Sequence, residues 1–154
     1  MSWLTNLQMQ RLILKYADDD TKKAFIGVYA IDTLPKSIPH LPVLLIVNTH
    51  TRNLPGQHWK SIYITKERIG EVFDSLGGPV STLLMKWLNT FTRKWSSNTF
   101  VVQHPLSPTC GAFAVYYVLT RLKKRNMKEF LRIFSHDLHK NSIMMKTFVK
   151  DLRK

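Results

Sequence analysis

The stretch from Cys110 to about Lys123 is apolar on nearly every side of a helix, and it constrains the fold more than any other feature of the chain. A helix of that composition is expected in a protein core, where other elements cover all of its sides. At 154 residues the chain has room for one such core. We therefore expect a single domain, residues 1–154, built around a helix that begins at Cys110.

Hydrophobic periodicity predicts the elements on both sides of this helix. Further helices are expected at residues 3–16, with Ser2 as the N-cap, and at residues 81–94, 127–138 and 142–152. Strands are expected at residues 25–31, 43–47, 59–64, 71–74 and 98–103, with a polar loop at 18–20 and a turn-rich loop at 51–57. Strands bracketed by helices, with tight loops between the middle strands, predict an α+β domain with a mostly antiparallel sheet.

The charge of the chain is strongly basic. Of a net charge of +13, residues 121–154 contribute +8, with eleven Lys or Arg against three acids. Such a surface attracts nucleic acid or another polyanion, although a solvated helical face has the same composition. The candidate nucleic-acid-binding residues are Arg121, Lys123, Lys124, Arg125, Lys128 and Arg132.

Other features of the composition exclude some classes of protein. Because no run of 18 apolar residues and no signal-peptide pattern is present, we expect no association with a membrane. A single cysteine excludes an internal disulfide and favours a reducing intracellular compartment. His136 and His139 could form a metal pair on a helix, but the ligand set around them is poor, so no metal site is predicted.

Cys110 is the candidate nucleophile. A free cysteine is usually a small buried core residue, and that interpretation stays open here. However, Pro108 and Thr109 precede Cys110, so its thiol lies on the first turn of the helix, where the helix N-terminus favours a thiolate. The backbone N–H groups at that turn can contact a substrate oxygen. Gly111 lets another chain pass close to the backbone.

Three upstream residues can complete a thiol hydrolase. His58 precedes the predicted strand 59–64 and can act as acid and base, while Trp59 should point to the opposite side of that strand. If strands 59–64 and 71–74 pair as a hairpin, Asp74 lies beside His58 and can orient the imidazole. Gln103, seven residues before Cys110, can donate to an oxyanion. The alternative interpretations are that His58 is a structural histidine, that Asp74 is a turn residue and that Gln103 is a polar residue at the end of a strand.

These motifs together resemble the adenovirus endopeptidase (adenain) family and the related proteases of ubiquitin-like modifiers. The resemblance rests on four blocks, in order: residues 45–49 with Arg52 and Gly56-Gln-His58-Trp59; Phe73-Asp74-Ser75-Leu76-Gly77; Gln103; and Cys110-Gly111-Ala-Phe. It covers about residues 2–125. Adenains of mammalian viruses usually have Glu at the position of Asp74, whereas the modifier proteases have Asp-Ser-Leu. Adenain-like genes also occur in Polinton or Maverick elements and related viruses, which are candidate sources of this chain.

The resemblance implies a papain-like fold with permuted order and a Cys-His-Asp triad of Cys110, His58 and Asp74. Gln103 would be the oxyanion donor, and Cys110, Gly111 and Trp59 would contact the substrate backbone. Substrates would be capsid or core precursor proteins cut at small, Gly-type sites, in the host nucleus or the virion. Viral relatives bind DNA and are activated by a basic peptide through a disulfide. Because no second cysteine is present, either no activating peptide exists here or such a peptide binds non-covalently.

We therefore predict a monomeric cysteine endopeptidase that needs no cofactor for its chemistry, with DNA as a polyanion partner. One alternative within the thiol class is a ubiquitin-like-modifier protease or an acetyltransferase of the same fold. The alternative from another class is a non-catalytic basic virion protein that binds nucleic acid through residues 121–154.

Overall fold

A computed structural model describes residues 4–49 and 58–154 of the chain. In this part four consecutive strands follow two N-terminal helices, and the C-terminal part is mainly helical, as expected of an α+β protein. The helices are α1 (Asn6–Tyr16), α2 (Asp19–Ala24), α3 (Thr82–Phe91), α4 (Cys110–Thr120), α5 (Met127–Leu131) and α6 (Leu138–Leu152), with a 3-10 turn at Arg121–Lys123 after α4. The strands are β1 (Phe25–Ala30), β2 (Val43–Asn48), β3 (Trp59–Ile64), β4 (Ile69–Phe73) and β5 (Lys94–Ser97).

The five strands form one sheet in the order β1-β2-β3-β4-β5. The pairs β2–β3 and β3–β4 in the centre of the sheet are antiparallel, whereas the edge strands β1 and β5 are parallel to their neighbours. The predicted α+β class is confirmed, and the parallel edges make the sheet mixed. In the pairing of β3 with β4, Ser61 lies opposite Phe73 and Tyr63 lies opposite Glu71. This register decides which side chains meet at the end of the two strands.

Helices cover both faces of the sheet. The core on one face combines α4 with α1, α6 and the inward side chains of β2, β3 and β4, and the core on the other face contains α3. Nine of the eleven residues of α4 are buried, as its uniform apolar composition predicts. Burying an apolar side chain such as Phe113 stabilises the fold by about 1.5–3 kcal/mol. α4 is therefore a rigid support for its own first residue, Cys110.

Two of the predicted loop and strand boundaries are wrong. Residues 18–20 are not a loop: Asp18 caps α2, and its side chain accepts a hydrogen bond from the amide of Thr21 at 2.8 Å. The strand predicted at residues 98–103 is absent from the described structure, because the last strand, β5, ends at Ser97. Residues 98–103 instead bind the turn that follows β4, which shapes the functional site described below.

The helix ends also differ from their predicted positions. α5 stops at Leu131 rather than at residue 138, and α6 begins at Leu138 because Asp137 caps it. Thr5 caps α1 through a capping box with Gln8, while the predicted cap Ser2 and the predicted loop at 51–57 lie outside the described residues. No helix in the described ranges is long and apolar enough to cross a membrane.

Candidate active site

His58 and Asp74 meet at the end of the β3–β4 pair. His58 immediately precedes β3 and Asp74 immediately follows β4, so the antiparallel pairing brings the two residues to the same edge of the sheet. The Nε2 atom of His58 lies 2.5 Å from Oδ1 of Asp74. Because Asp74 engages Nε2, the other ring nitrogen, Nδ1, is the one that can face a thiol. The hairpin that the sequence predicted therefore joins these two side chains.

The turn after β4 fixes the Asp74 carboxylate in place. Oδ1 of Asp74 accepts a second hydrogen bond from the amide of Leu76 at 2.9 Å, and Oδ2 accepts one from the amide of Gly78 at 3.0 Å. Gly77 lies between these two donors with φ of +61°, and a Cβ there would approach the carbonyl oxygen of Phe100 to 2.7 Å. Glycine is required at residue 77 both by this conformation and by the close approach.

Asn98 holds the backbone of the same aspartate. Its Oδ1 accepts from the amide of Asp74 at 2.8 Å, and its Nδ2 donates to the carbonyl of Asp74 at 2.6 Å. Both residues are buried. The segment predicted as a strand at 98–103 therefore holds the turn after β4 in place through Asn98.

Cys110 begins α4 and faces the imidazole. Phe113 is the first residue whose amide closes the helical hydrogen-bond ladder, to Thr109 at 3.1 Å, so the Cys110 thiol lies on the first turn as predicted. The side chain of Cys110 is hydrogen-bonded to that of His58. Cys110 is only 3% exposed, yet it lines a cleft of about 180 Å³ together with His58 and Gln103. Cys110 is therefore nearly buried but still borders the cleft.

Gln103 is oriented by hydrogen bonds at both ends of its carboxamide. Its Oε1 accepts from the hydroxyl of Ser75 at 2.5 Å, and its Nε2 donates to the carbonyl of Ser107 at 2.7 Å. An amide nitrogen carries two protons, so the second one can be directed into the cleft that Gln103 lines. This arrangement suits a donor to an oxyanion.

The electrostatics of the site favour a charged imidazole. Burial alone lowers the pKa of His58, but hydrogen bonds and charge interactions with Asp74 and Cys110 outweigh burial and raise this pKa to about 9. For Asp74, burial raises the pKa, but the hydrogen bond and charge of His58 and the charge of Lys60 lower it to about 2. An imidazolium between a carboxylate and a sulfur stabilises the thiolate form, which is the nucleophilic form of cysteine.

Two of the predicted substrate-contacting residues do not line the cleft. Trp59 is 7% exposed and packs in the core on the α4 face of the sheet, as the alternation of the strand requires. Gly111 is buried inside the first turn of α4, where only its backbone could take part. The cleft is lined instead by Leu76 and by residues of the segment before α4: Pro105, Leu106, Ser107 and Pro108.

The candidate nucleic-acid-binding residues divide into two groups. Arg121 is buried, and its guanidinium forms an ion pair with Glu71 at 2.7 Å, so it is not part of a binding surface. Arg125 is exposed but paired with Glu129 at 2.9 Å. Of the others, Lys124 is partly buried, and the exposed residues are Lys123, Lys128 and Arg132.

No group of three or more potential metal ligands occurs within residues 4–49 and 58–154. His139 contacts the ring of His104, with 5.9 Å between ring centroids, rather than forming a site with His136.

Three residues of the site were not predicted from the sequence: Lys60, Ser75 and Asn98. Lys60 is 4% exposed, and its Nζ lies 3.2 Å from Oδ2 of Asp74. The β3–β4 register identifies Lys60 as a neighbour of Asp74, because extending the register by one pair beyond Ser61–Phe73 places the two residues opposite each other. Ser75 adjoins Asp74 in sequence, but nothing local identifies Gln103 as its partner. Asn98 lies in a segment that the hydrophobic pattern predicted as a strand.

Comparison with solved structures identifies proteases with this fold. A crystal structure of ASFV pS273R protease aligns with a TM-score of 0.63 and 16% sequence identity, over 94% of this chain and 66% of that one. A selenomethionine structure of the same protease gives a TM-score of 0.60 and 17% identity, over 94% of this chain and 67% of that one. The chain thus spans about two thirds of the length of the viral protease.

A bacterial domain also has this fold. The central domain of the uncharacterized Lpg1148 protein from Legionella pneumophila aligns with a TM-score of 0.55 and 14% identity, over 99% of this chain and 97% of that one. No protein-family model and no curated protein matches the sequence. The fold is therefore the predicted one, α+β of the papain-like, ubiquitin-like-protease type, and it is shared with a viral protease.

Proposed function

We propose that this chain is a cysteine endopeptidase with Cys110 as nucleophile, His58 as acid and base, and Asp74 as the residue that orients His58. The observation that carries the proposal is the continuous contact from Asp74 through His58 to Cys110, with 2.5 Å between Nε2 and Oδ1, in which His58 and Cys110 line one cleft. Nucleophile and base need hydrogen-bond contact, and the base needs a third group to orient it.

The reaction proceeds through an acyl-enzyme. The Cys110 thiolate attacks the peptide carbonyl carbon, and the resulting oxyanion accepts hydrogen bonds from the amide of Cys110 and from Nε2 of Gln103. The His58 imidazolium donates its proton to the leaving nitrogen, and the C–N bond breaks. His58 then takes a proton from water, which attacks the thioester and releases the acid and the thiolate.

The shape of the cleft favours small residues next to the scissile bond. Its volume is about 180 Å³, and Leu76, Leu106 and two prolines narrow it. This agrees with the resemblance to adenains, from which we propose capsid or core precursor proteins as substrates, cut at Gly-type sites.

The proposed activity is tested by incubating the protein with a panel of peptides that contain internal glycine pairs. We expect Cys110→Ala to abolish cleavage, whereas Cys110→Ser should leave only a trace, because an alcohol is not ionised by this imidazole. Cleavage that persists at the wild-type rate in Cys110→Ala would rule the proposal out. Labelling of Cys110 by probes that end in a ubiquitin-like modifier, without cleavage of internal peptide bonds, would favour the modifier-protease alternative.

A second proposed property is contact with a polyanion such as DNA. It rests on the exposed cations Lys123, Lys128 and Arg132 of the basic region. The expected result is weak binding that decreases steeply with salt. Binding without any thiol reactivity at Cys110 would favour the non-catalytic alternative.

A further inference from the structure

Lys60 is a buried lysine directly beside the catalytic carboxylate. It is 4% exposed, and its ammonium group lies 3.2 Å from Oδ2 of Asp74 and donates to the carbonyl of Pro79 at 3.0 Å. Lysine is almost never buried to this degree unless its charge is paired. The pairing partner here is the residue that orients the base, so the lysine belongs to the site as well as to the core.

The sheet explains why this lysine reaches Asp74. Extending the β3–β4 register by one pair beyond Ser61–Phe73 places Lys60 opposite Asp74, and side chains directly opposite each other in an antiparallel pair are in contact. Lys60 is the second residue of β3, and His58 immediately precedes the strand. The two side chains approach Asp74 from this end of β3 and bind different oxygens, Oδ1 for His58 and Oδ2 for Lys60.

Within residues 4–49 and 58–154, few other charged groups act on this carboxylate. The titratable groups in contact with it are His58 and Lys60, and Cys110 on α4 lies beyond His58. A further buried ion pair, Glu71 with Arg121, lies on the α4 face of the sheet, opposite to the side of β3 that carries Lys60. When the thiol is ionised, thiolate, imidazolium, carboxylate and ammonium alternate in sign along one chain of contacts.

We propose that Lys60 is a positioning residue of the catalytic centre: its ammonium group keeps the Asp74 carboxylate ionised and balances its charge against the imidazolium–thiolate pair. This inference rests on the proposed function for its catalytic meaning, but the electrostatic role can be measured without a peptide substrate.

Removing the charge of Lys60 has a defined effect on the neighbouring groups. Without the ammonium, Asp74 acts on His58 as an uncompensated negative charge, so the imidazolium loses its proton at higher pH. The same change makes the surroundings of Cys110 more negative, so the thiolate also forms at higher pH. The pH midpoints of both ionisations therefore rise. The midpoint of His58 rises more, because the His58 ring contacts Asp74 directly.

The test uses alkylation of the protein by iodoacetamide as a function of pH. Because Cys110 is the only cysteine, the rate reports this thiol alone. In Lys60→Met we expect the alkaline transition to rise by about 0.5–1 pH unit, with a smaller rise of the acid transition. Lys60→Arg retains the charge and should restore the wild-type profile. Lys94→Met, at an exposed position of β5, is the matched control and should leave the profile unchanged.

A folded Lys60→Met variant with the wild-type pH profile would overturn the inference. If this variant does not fold, Lys60→Gln is the second variant. If neither folds, the NMR signal of the Lys60 ammonium group in the wild-type protein is followed through the titration of His58 near pH 9. A signal that does not respond to that step would also overturn the inference. If the pH profile of alkylation shifts in Lys60→Met but the wild-type protein cleaves no peptide, the proposed function is rejected. The electrostatic role of Lys60 is then retained.

Discussion

The hydroxyl of Ser75 donates to the carboxamide oxygen of Gln103 at 2.5 Å, and both side chains are buried. The amides of Val102 and Gln103 donate in turn to the carbonyl of Ser75, at 2.9 and 3.0 Å. Ser75, the residue after Asp74, thus orients the carboxamide of Gln103. The positions of the Asp74 carboxylate and of the Gln103 carboxamide are therefore both set by one turn, in which Asp74 and Ser75 are adjacent.

Ser75→Ala should reduce turnover without unfolding the protein. The carboxamide of Gln103 loses the bond that directs its oxygen away from the cleft, so its nitrogen is no longer held in place. Removal of an entire oxyanion donor costs on the order of 10²–10³ in turnover, and misorientation of a retained donor should cost about 10-fold. Steady-state kinetics should show lower kcat with little change in KM. Ser96→Ala, at an exposed position of β5, should match the wild type.

Asp74→Asn should reduce the activity of the folded protein on the order of 10²–10⁴. An amide can fill the space of the carboxylate, but it no longer stabilises the imidazolium by charge. The pKa of His58 should therefore fall from about 9 towards its ordinary value of 6.5. An NMR titration of the His58 ring measures this directly. A value that stayed near 9 in the variant would show that Asp74 is not the cause of the shift.

The stability of the protein should depend on the ionisation of His58. Because folding raises the pKa of this histidine, the protonated ring stabilises the native state fully below about pH 6.5, and this contribution is lost as the pH rises through about 9. Urea unfolding at about pH 6 and about pH 10 should give a larger loss of stability for the wild type than for His58→Gln. Equal losses in both proteins would contradict the prediction.

Asp74 contributes in the opposite direction. Its pKa is lowered by folding from 3.8 to about 2, so its stabilising effect is present above about pH 3.8 and is lost as the pH falls through about 2. Acid unfolding of the wild type should therefore begin at lower pH than that of Lys60→Met, in which Asp74 lacks the neighbouring cation. Circular dichroism along an acid titration measures the difference.

Gly77→Ala should destabilise the protein by about 1–3 kcal/mol, because alanine disfavours a φ of +61° and its Cβ would lie 2.7 Å from the carbonyl oxygen of Phe100. Displacement of the turn moves the amides of Leu76 and Gly78 away from Asp74, so activity should fall as well. Thermal unfolding and single-turnover kinetics measure the two effects. A variant with wild-type values for both would show that the turn tolerates the added methyl group.

The central part of the site could be predicted because strand pairing converts sequence spacing into proximity. The alternation of residues 59–64 and the position of Asp74 sufficed to bring His58 and Asp74 together, and the apolar helix that starts at Cys110 fixed the position of the thiol. Lys60 was missed because a lysine within an alternating strand normally points to solvent, and only the pairing register reveals that it faces a buried carboxylate.

The segment at residues 98–103 was predicted wrongly for a different reason. Its three apolar residues in a row are typical of a strand, but Phe100 and Val101 are exposed, and only Val102 is buried. The polar residues Asn98 and Gln103 are buried as well. Here hydrogen bonds to the turn after β4 outweigh the local propensity for a strand, and such bonds join residues more than twenty positions apart. A periodicity argument contains no information about partners at that distance.

The five residues from Asp74 to Gly78 couple two parts of the proposed chemistry mechanically. A ligand bound between Gly77 and Phe100 would displace the Asp74 carboxylate, which orients the proposed base. Through Ser75 it would also displace the carboxamide of Gln103, the proposed oxyanion donor. Inhibition from that position would abolish both functions in one step while leaving the sulfur untouched. A covalent label directed at the thiol could then distinguish such an inhibitor from one that occupies the cleft.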